Sequence, residues 1–245
     1  DFSKTNALRR FPDFNNFNER KVVESTKIYD RTGEILLYDV HQDVKRTIIP
    51  FDQISPNIKN ATIAVEDANF YNHLGVEPKS IIRAIFANIF GGGYVQGGST
   101  ITQQVVKNTL LTSEKKITRK LKELILSFRL EHELTKDQIL ALYLNEIPYG
   151  GNIYGVSEAS RVFFGKKPSD LTIAESAYIA SLPKAPTRLS PYGNNTDKLE
   201  QRKNFVLFRE KTIGLITEDQ YKTALNEKVI FLPRESRGIK APHFV

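Results

Sequence analysis

Between Thr26 and Tyr38 the chain reads as two short runs, Thr26-Lys27-Ile28-Tyr29 and Ile35-Leu36-Leu37-Tyr38, around a turn at Asp30-Arg31-Thr32-Gly33. β-Branched and aromatic residues flanking a Gly-containing turn predict a hairpin. It is the one β element the pattern supports. From Ser55 onward the apolar positions recur at helical steps instead. Ser55-Pro56 marks a helix start, because proline is tolerated where the backbone N–H is unpaired anyway. Pro78 opens another helix, with Ile81, Ile82, Ile85 and Ile89 at helical spacing. Thr135–Gln138, Thr172–Glu175 and Thr217–Gln220 each have the hydroxyl and the carboxylate or amide of a capping box. Helix ends are expected near Gly91, Gly150 and Gly165. The pattern therefore predicts a mainly α fold with a small β appendage.

The flanks differ from this body. Residues 1–25 are polar and aromatic without clear period and read as a linker. The domain itself is expected over 26–230, with the hairpin at 26–38 and helices from about 55. Residues 231–245 turn polar and end on Ala241-Pro242-His243-Phe244-Val245 without a cap, as at a domain junction. The sequence contains no methionine, so it is expected to be a piece of a longer product.

Composition narrows the chemistry. With 40% hydrophobic and 26% charged residues over 245 positions, a sizeable core is available. Cysteine is absent, which excludes disulfides, thiolate metal sites and a cysteine nucleophile. No run of about 18 apolar residues exists to span a bilayer. The net charge of +7 favours polyanionic partners: nucleic acid, anionic lipid or a phosphorylated substrate. A nucleic-acid module would interleave exposed cations with stacking aromatics. The basic stretch 107–122 contains no aromatic residue, which argues against nucleic acid.

Four stretches carry candidate chemistry. In the first, Glu66 follows Ile63, Ala64 and Val65, and the chain then enters Asp67-Ala68-Asn69-Phe70-Tyr71-Asn72-His73-Leu74-Gly75. A carboxylate emerging from an apolar run is partly desolvated and so a stronger base. The same residues also read as a helix C-terminus whose Asp67 and His73 hold loop amides. The second stretch, Gly97-Gly98-Ser99-Thr100-Ile101-Thr102-Gln103-Gln104, makes a dense polar surface. Its glycines miss the dinucleotide spacing, and no Gly-Lys-Ser/Thr follows. The third is a basic helix, 114–133. Lys116, Lys120, Glu123 and Ser127 share one stripe, and Ile117, Leu121, Leu124 and Phe128 another. It reads either as a phosphate-facing surface or as a solvated helix laced with ion pairs. The fourth, 136–150, has the apolar spacing of a buried helix, with Asn145 and Glu146 suited to local hydrogen bonding.

Taken together, these stretches resemble the glycosyltransferase family 51 domain of class A penicillin-binding proteins. Glu66, Asp67, Phe70, His73 and Gly75 match that family's Glu-Asp-x-x-Phe-x-x-His-x-Gly motif. Gly97, Thr100, Gln103 and Gln104 match Gly-x-x-Thr-x-x-Gln-Gln, and Arg119, Lys120 and Glu123 match Arg-Lys-x-x-Glu. The helix ending in Asn145 and Gly150 matches a fourth motif. Arg202, Val206 and Leu207 match a fifth, in family order over about 28–225.

The resemblance implies a lysozyme-like helical lobe with a smaller membrane-proximal lobe. It implies polymerisation of lipid II into β-1,4-linked glycan, with inversion and release of undecaprenyl pyrophosphate. Glu66 is then the general base. Glu123 is a second acidic residue that orients Lys120 or holds a metal; no tightly bound cofactor is implied, though a divalent cation such as Mg2+ has a place. Lys120, Arg119, Lys107, Gln104, Gln103, Ser99 and Thr100 are expected on the pyrophosphate side. Asp67, Phe70, His73, Gly75 and Asn145 are expected to build the site.

The implied partners are lipid II, the growing glycan strand, anionic lipid at the cytoplasmic membrane surface, and a transpeptidase domain in the full-length protein. The implied location is the outer, periplasmic face of that membrane, with a transmembrane anchor expected ahead of Asp1. Phe86, Ile89, Phe90 and Tyr94 around Gly91–Gly93 read either as an interfacial segment or as core. A lysozyme-like hydrolase on the same scaffold also needs an acid, but has no use for a basic helix facing pyrophosphate. Ser113-x-x-Lys116 and Ser181-x-x-Lys184 match a penicillin-binding pattern, but neither Ser-Asp-Asn nor Lys-Thr-Gly accompanies them.

Overall fold

The computed structural model describes residues 26–29, 31–32, 36–40, 45–78, 98–109 and 116–234. The stretch 1–25, the segment Phe86–Tyr94, Gly97, Ser113 and the junction beyond 234 lie outside the described residues.

The hairpin is present: β1 (Thr26–Tyr29) pairs antiparallel with β2 (Leu36–Val40), with an irregularity between Ile28 and Tyr29. Eight α-helices follow among the described residues: α1 (Pro56–Glu66), α2 (Ile101–Thr109), α3 (Lys116–Glu133), α4 (Lys136–Glu146), α5 (Val156–Phe164), α6 (Ile173–Ser181), α7 (Thr196–Thr212) and α8 (Glu218–Asn226). Their starts are those the sequence marks. The Ser55 hydroxyl accepts from the Asn57 amide ahead of Pro56. Reciprocal capping boxes close the starts of α4, α6 and α8. Each satisfies two amides that would otherwise lack partners.

Two features depart from expectation. The helix expected to run to Gly150 ends at Glu146, because Pro148 forces extended backbone on Ile147, whose ψ is 140°. Pro148–Gly150 becomes strand β4, antiparallel to β5 (Ile153–Tyr154), which pairs in parallel with β3 (Lys45–Arg46). Strands this short carry no legible period. Asn145 clamps the same region. Its amide accepts from the Ile49 N–H and donates to the Ile49 carbonyl, both at 3.0 Å, so the incoming chain is tied to the end of α4. Gly155, at φ +79°, lets the backbone pass here; a Cβ would stand 2.5 Å from the Asn145 carbonyl oxygen.

α6 is the centre of the body and packs against both α1 and α7. Its sequence, Ile-Ala-Glu-Ser-Ala-Tyr-Ile-Ala-Ser, buries Ala174, Ala177 and Ala180, small residues that permit close helix approach. Ile58 and Ala61 of α1 and Val206 and Leu207 of α7 are fully buried against it. α2 packs on α3 and α4 through Val105, Val106, Leu126, Leu130, Leu140 and Leu144. Each large aliphatic side chain so buried contributes about 1.5–3 kcal/mol.

One core residue works against this. Glu210 of α7 is fully buried, and neither carboxyl oxygen has a hydrogen-bond partner. Burial pushes its carboxyl up to about 8. The folded state therefore keeps a proton that the unfolded chain releases above the usual carboxylate range. Stability falls as pH rises through that window and levels off above the folded value. Glu210→Gln removes this dependence. Compared by urea denaturation at pH 6 and pH 8, the variant should gain on the wild type by roughly 2–3 kcal/mol over those two units.

Candidate active site

The site begins where α1 stops. Glu66 is the last residue of the helix and Asp67 its C-cap, donating its backbone N–H to the Ile63 carbonyl at 3.0 Å. The Asp67 carboxylate is buried and joins three pieces of chain. It accepts from the Ile101 N–H at the start of α2, at 3.0 Å, and meets His73 Nε2 at 2.9 Å. His73 Nδ1 accepts from the Gly75 N–H, so the ring proton sits on Nε2 and is donated to Asp67. Gly75 has φ +81°, and a Cβ there would lie 2.9 Å from the Ser127 carbonyl oxygen of α3. Only glycine lets the loop lie this close. Phe70 is buried beneath it, with the Lys136 ammonium 4.6 Å over its ring and donating to the His73 carbonyl.

Thr100 and Gln103 start α2 as a capping box that the sequence reading did not identify. The Thr100 N–H donates to Gln103 Oε1, the Gln103 N–H to Thr100 Oγ1, and the Thr100 hydroxyl to the Gly75 carbonyl. Both side chains are buried. Their geometry is that of positioning residues, which leaves Ser99, Gln104 and Lys107 as the more open members of this stretch.

Gln104 donates to Glu66 Oε2 at 2.7 Å, and the Tyr143 hydroxyl lies 3.5 Å from Gln104 Oε1. Burial pushes the Glu66 carboxyl up. The Gln104 hydrogen bond and the charges of Arg202 and Lys184 oppose that, while Asp67 adds to it. The residue as a whole keeps partial exposure. Burial first, then the Glu66 charge, raises the phenols of Tyr143 and Tyr149. Both stay neutral beside it.

A separate cation cluster faces Ser99. Lys120 Nζ donates to Ser99 Oγ at 2.8 Å and to Glu123 Oε2 at 2.9 Å, with Gln103 Oε1 at 3.4 Å. Arg119 Nε stands 3.5 Å from Glu123 Oε1. Glu123 is buried while Lys120 and Arg119 are partly open. The carboxylate thus holds two cations toward a surface an anion can reach. It does not fit a divalent ion, since each oxygen already faces a cation. Among the described residues no three His, Asp or Glu side chains gather as a metal set.

Arg202 and Lys184 were not among the expected site residues. Arg202, half-buried on α7, has an Nε with no acceptor, and its charge is felt at Glu66. Its place in Arg-x-x-x-Val-Leu was the available signal. For Lys184, which lies in a 3₁₀ turn after α6, periodicity gave none. Ser181 is buried and donates to the Ala177 carbonyl, a helix-internal bond that uses its proton. Asn145 serves the fold, as described above.

Compared with known families, residues 33–211 match the one described as Transglycosylase. The chain is 40% identical over 240 residues to penicillin-binding protein 1A of Aquifex aeolicus, covering 96% of this chain and 32% of that protein. It is 42% identical over 230 residues to penicillin-binding protein 1A of Rickettsia bellii, covering 93% and 29%. Among solved structures it matches the crystal structure of penicillin-binding protein 1A from Haemophilus influenzae with a TM-score of 0.52 at 23% identity, covering 88% of this chain and 22% of that one. That last likeness concerns the fold alone. The chain spans about a third or less of the length of these relatives. With most of its length matched, the chain belongs to the transglycosylase family.

Proposed function

We propose that this domain polymerises lipid II into β-1,4-linked glycan with inversion at the anomeric carbon. The observation that carries the reading is the pairing of two unlike groups. One is a deep carboxylate, Glu66, steadied by Gln104; the other is a cation cluster at Lys120 on a different helix.

In the proposed reaction the 4-hydroxyl oxygen of the acceptor sugar attacks the donor's anomeric carbon. The bond from that carbon to the phosphate oxygen breaks, and the electron pair leaves with undecaprenyl pyrophosphate. Glu66 takes the hydroxyl proton. A carboxylate whose pKa is raised toward the working pH suits that task better than an ordinary one. Lys120 and Arg119, fixed by Glu123, meet the charge that develops on the leaving group. Ser99, Gln104 and Lys107 line the donor side. A hydrolase would need an acid but would leave the Lys120 cluster without a task. The partners are lipid II, the glycan strand and an anionic membrane surface. The proposed location is the outer face of the cytoplasmic membrane, with an N-terminal anchor and a transpeptidase domain in the whole protein.

Glu66→Gln tests the base directly. The amide is nearly isosteric but accepts no proton, and general-base catalysis contributes about 10²–10⁴-fold. Labelled lipid II supplied in detergent should give glycan with the wild type and a loss of that size with a variant of unchanged melting temperature. Substantial turnover by the folded variant would sink the assignment.

Glu66 works ionised, so turnover should fall as pH drops through its pKa. Arg202 holds that pKa down by its charge. Arg202→Ala should therefore move the acid limb of the kcat–pH profile to higher pH. A loss of kcat that is equal at every pH would show that Arg202 acts elsewhere.

A further inference from the structure

One tyrosine in the core of α4 has a polar end that the proposed reaction does not use. Tyr143 is 2% exposed and shares its buried face with Ile139, Leu140 and Leu144. Apolar packing accounts for the ring but not for the hydroxyl, since a buried phenol needs a partner. Among the described residues the acceptor that this hydroxyl meets is Gln104 Oε1, at 3.5 Å, brought there because α2 packs on α4.

The Gln104 amide can face two ways. As it stands, Nε2 donates to Glu66 Oε2 at 2.7 Å and Oε1 faces Tyr143. Turned over, it would set Oε1 against Glu66 and Nε2 against the phenol. Beside an ionised carboxylate that arrangement opposes two acceptors. Beside a protonated Glu66 it is favourable, because the acid O–H then donates to Oε1. A free amide would thus follow the proton and stabilise either form of the base.

Tyr143 breaks this symmetry. Burial first, then the charge of Glu66 and the neighbouring Tyr149, keep its phenol protonated, so it has a hydrogen to donate. Turning Gln104 over would leave that buried O–H without an acceptor, which is costly. The other groups around Glu66 act differently. Arg202 of α7, Lys184 after α6 and the adjacent Asp67 act on it by charge, and Tyr149 of β4 feels the Glu66 charge in turn. None of these is hydrogen-bonded to the Gln104 side chain.

We infer that Tyr143 is a positioning residue whose hydroxyl holds the Gln104 amide with its NH2 group toward Glu66, so that the amide supports only the ionised base. The inference rests on the reading of Glu66 as that base.

The test reads the Glu66 proton itself. In protein with isotope-labelled glutamate carboxyls followed by NMR, the resonance absent from Glu66→Gln belongs to Glu66, and its titration needs no substrate. Tyr143→Phe keeps the ring and removes the hydroxyl. The freed amide then serves the protonated acid too, which holds its proton to higher pH. The Glu66 midpoint should rise by roughly 0.4–1 pH unit, the equivalent of one neutral hydrogen bond, and nearer the lower figure because the contact is long. In a Gln104→Leu background the same substitution should add no further shift. A ring-fluorinated tyrosine at position 143, a stronger donor of nearly the same shape, should move the midpoint down, and it keeps the test open if Tyr143→Phe folds poorly. With lipid II as substrate, the acid limb of the kcat–pH profile of Tyr143→Phe should rise with the midpoint while KM stays the same.

An unmoved midpoint, a downward shift in Tyr143→Phe, or an equal shift without Gln104 would overturn the inference. A loss of kcat that is uniform in pH, with the midpoint in place, would make Tyr143 a packing residue only. A midpoint that moves while the acid limb does not would leave the amide orientation standing and sink Glu66 as the base.

Discussion

The buried carboxylate of Asp67 organises everything around it. It ends α1, accepts a hydrogen bond from the first amide of α2 and another from His73, so two helices and a loop meet at one side chain. A charge in such a place is tolerated only because donors surround it. In return, the residue before it has little freedom. Glu66 is fixed at the last turn of α1 by what Asp67 binds, and the start of α2 places Gln104 against it.

Two adjacent carboxylates thus have opposite fates. Asp67 is enclosed by donors and spends its oxygens on structure. Glu66 has one strong donor, Gln104, and more distant cations in Arg202 and Lys184. Neighbouring groups in environments this different can divide the work of a site, one spent on geometry and one left for chemistry. The second half of the site is built on the same economy. Glu123 is buried and serves Lys120 and Arg119, which remain open to solvent on their outer sides.

α3 connects these halves to the surroundings. Its inward face carries Leu126 and Leu130 together with Glu123, Ser127 and Glu131, whose polar groups find partners there: Lys120, their own helix backbone, and the Thr102 hydroxyl with Lys136. Satisfying those groups internally leaves Leu121, Ile125 and Phe128 facing out. The buried hydrogen bonds and the buried leucines Leu126 and Leu130 lie on the same face, so both set the orientation.

Much of the architecture was already legible in the chain. Ser55-Pro56, Thr135–Gln138, Thr172–Glu175 and Thr217–Gln220 announce helix starts because capping is a local interaction between residues three apart. The order of five motifs likewise pointed to the family, and Glu66, Asp67, Lys120 and Glu123 were named from them. Tertiary structure decided what depends on residues distant in sequence. Strand β3 exists only because residues 45–46 reach 153–154, over a hundred positions away. Arg202 and Lys184 come to Glu66 because α6 and α7 pack against α1. Thr100 and Gln103 look like ligand-binding residues in the sequence, yet they turn inward to cap α2. Capping and periodicity are short-range and are written in neighbouring letters. The direction a polar side chain faces is set by which partners the whole fold brings within about 3 Å of it, and only the assembled chain contains that information.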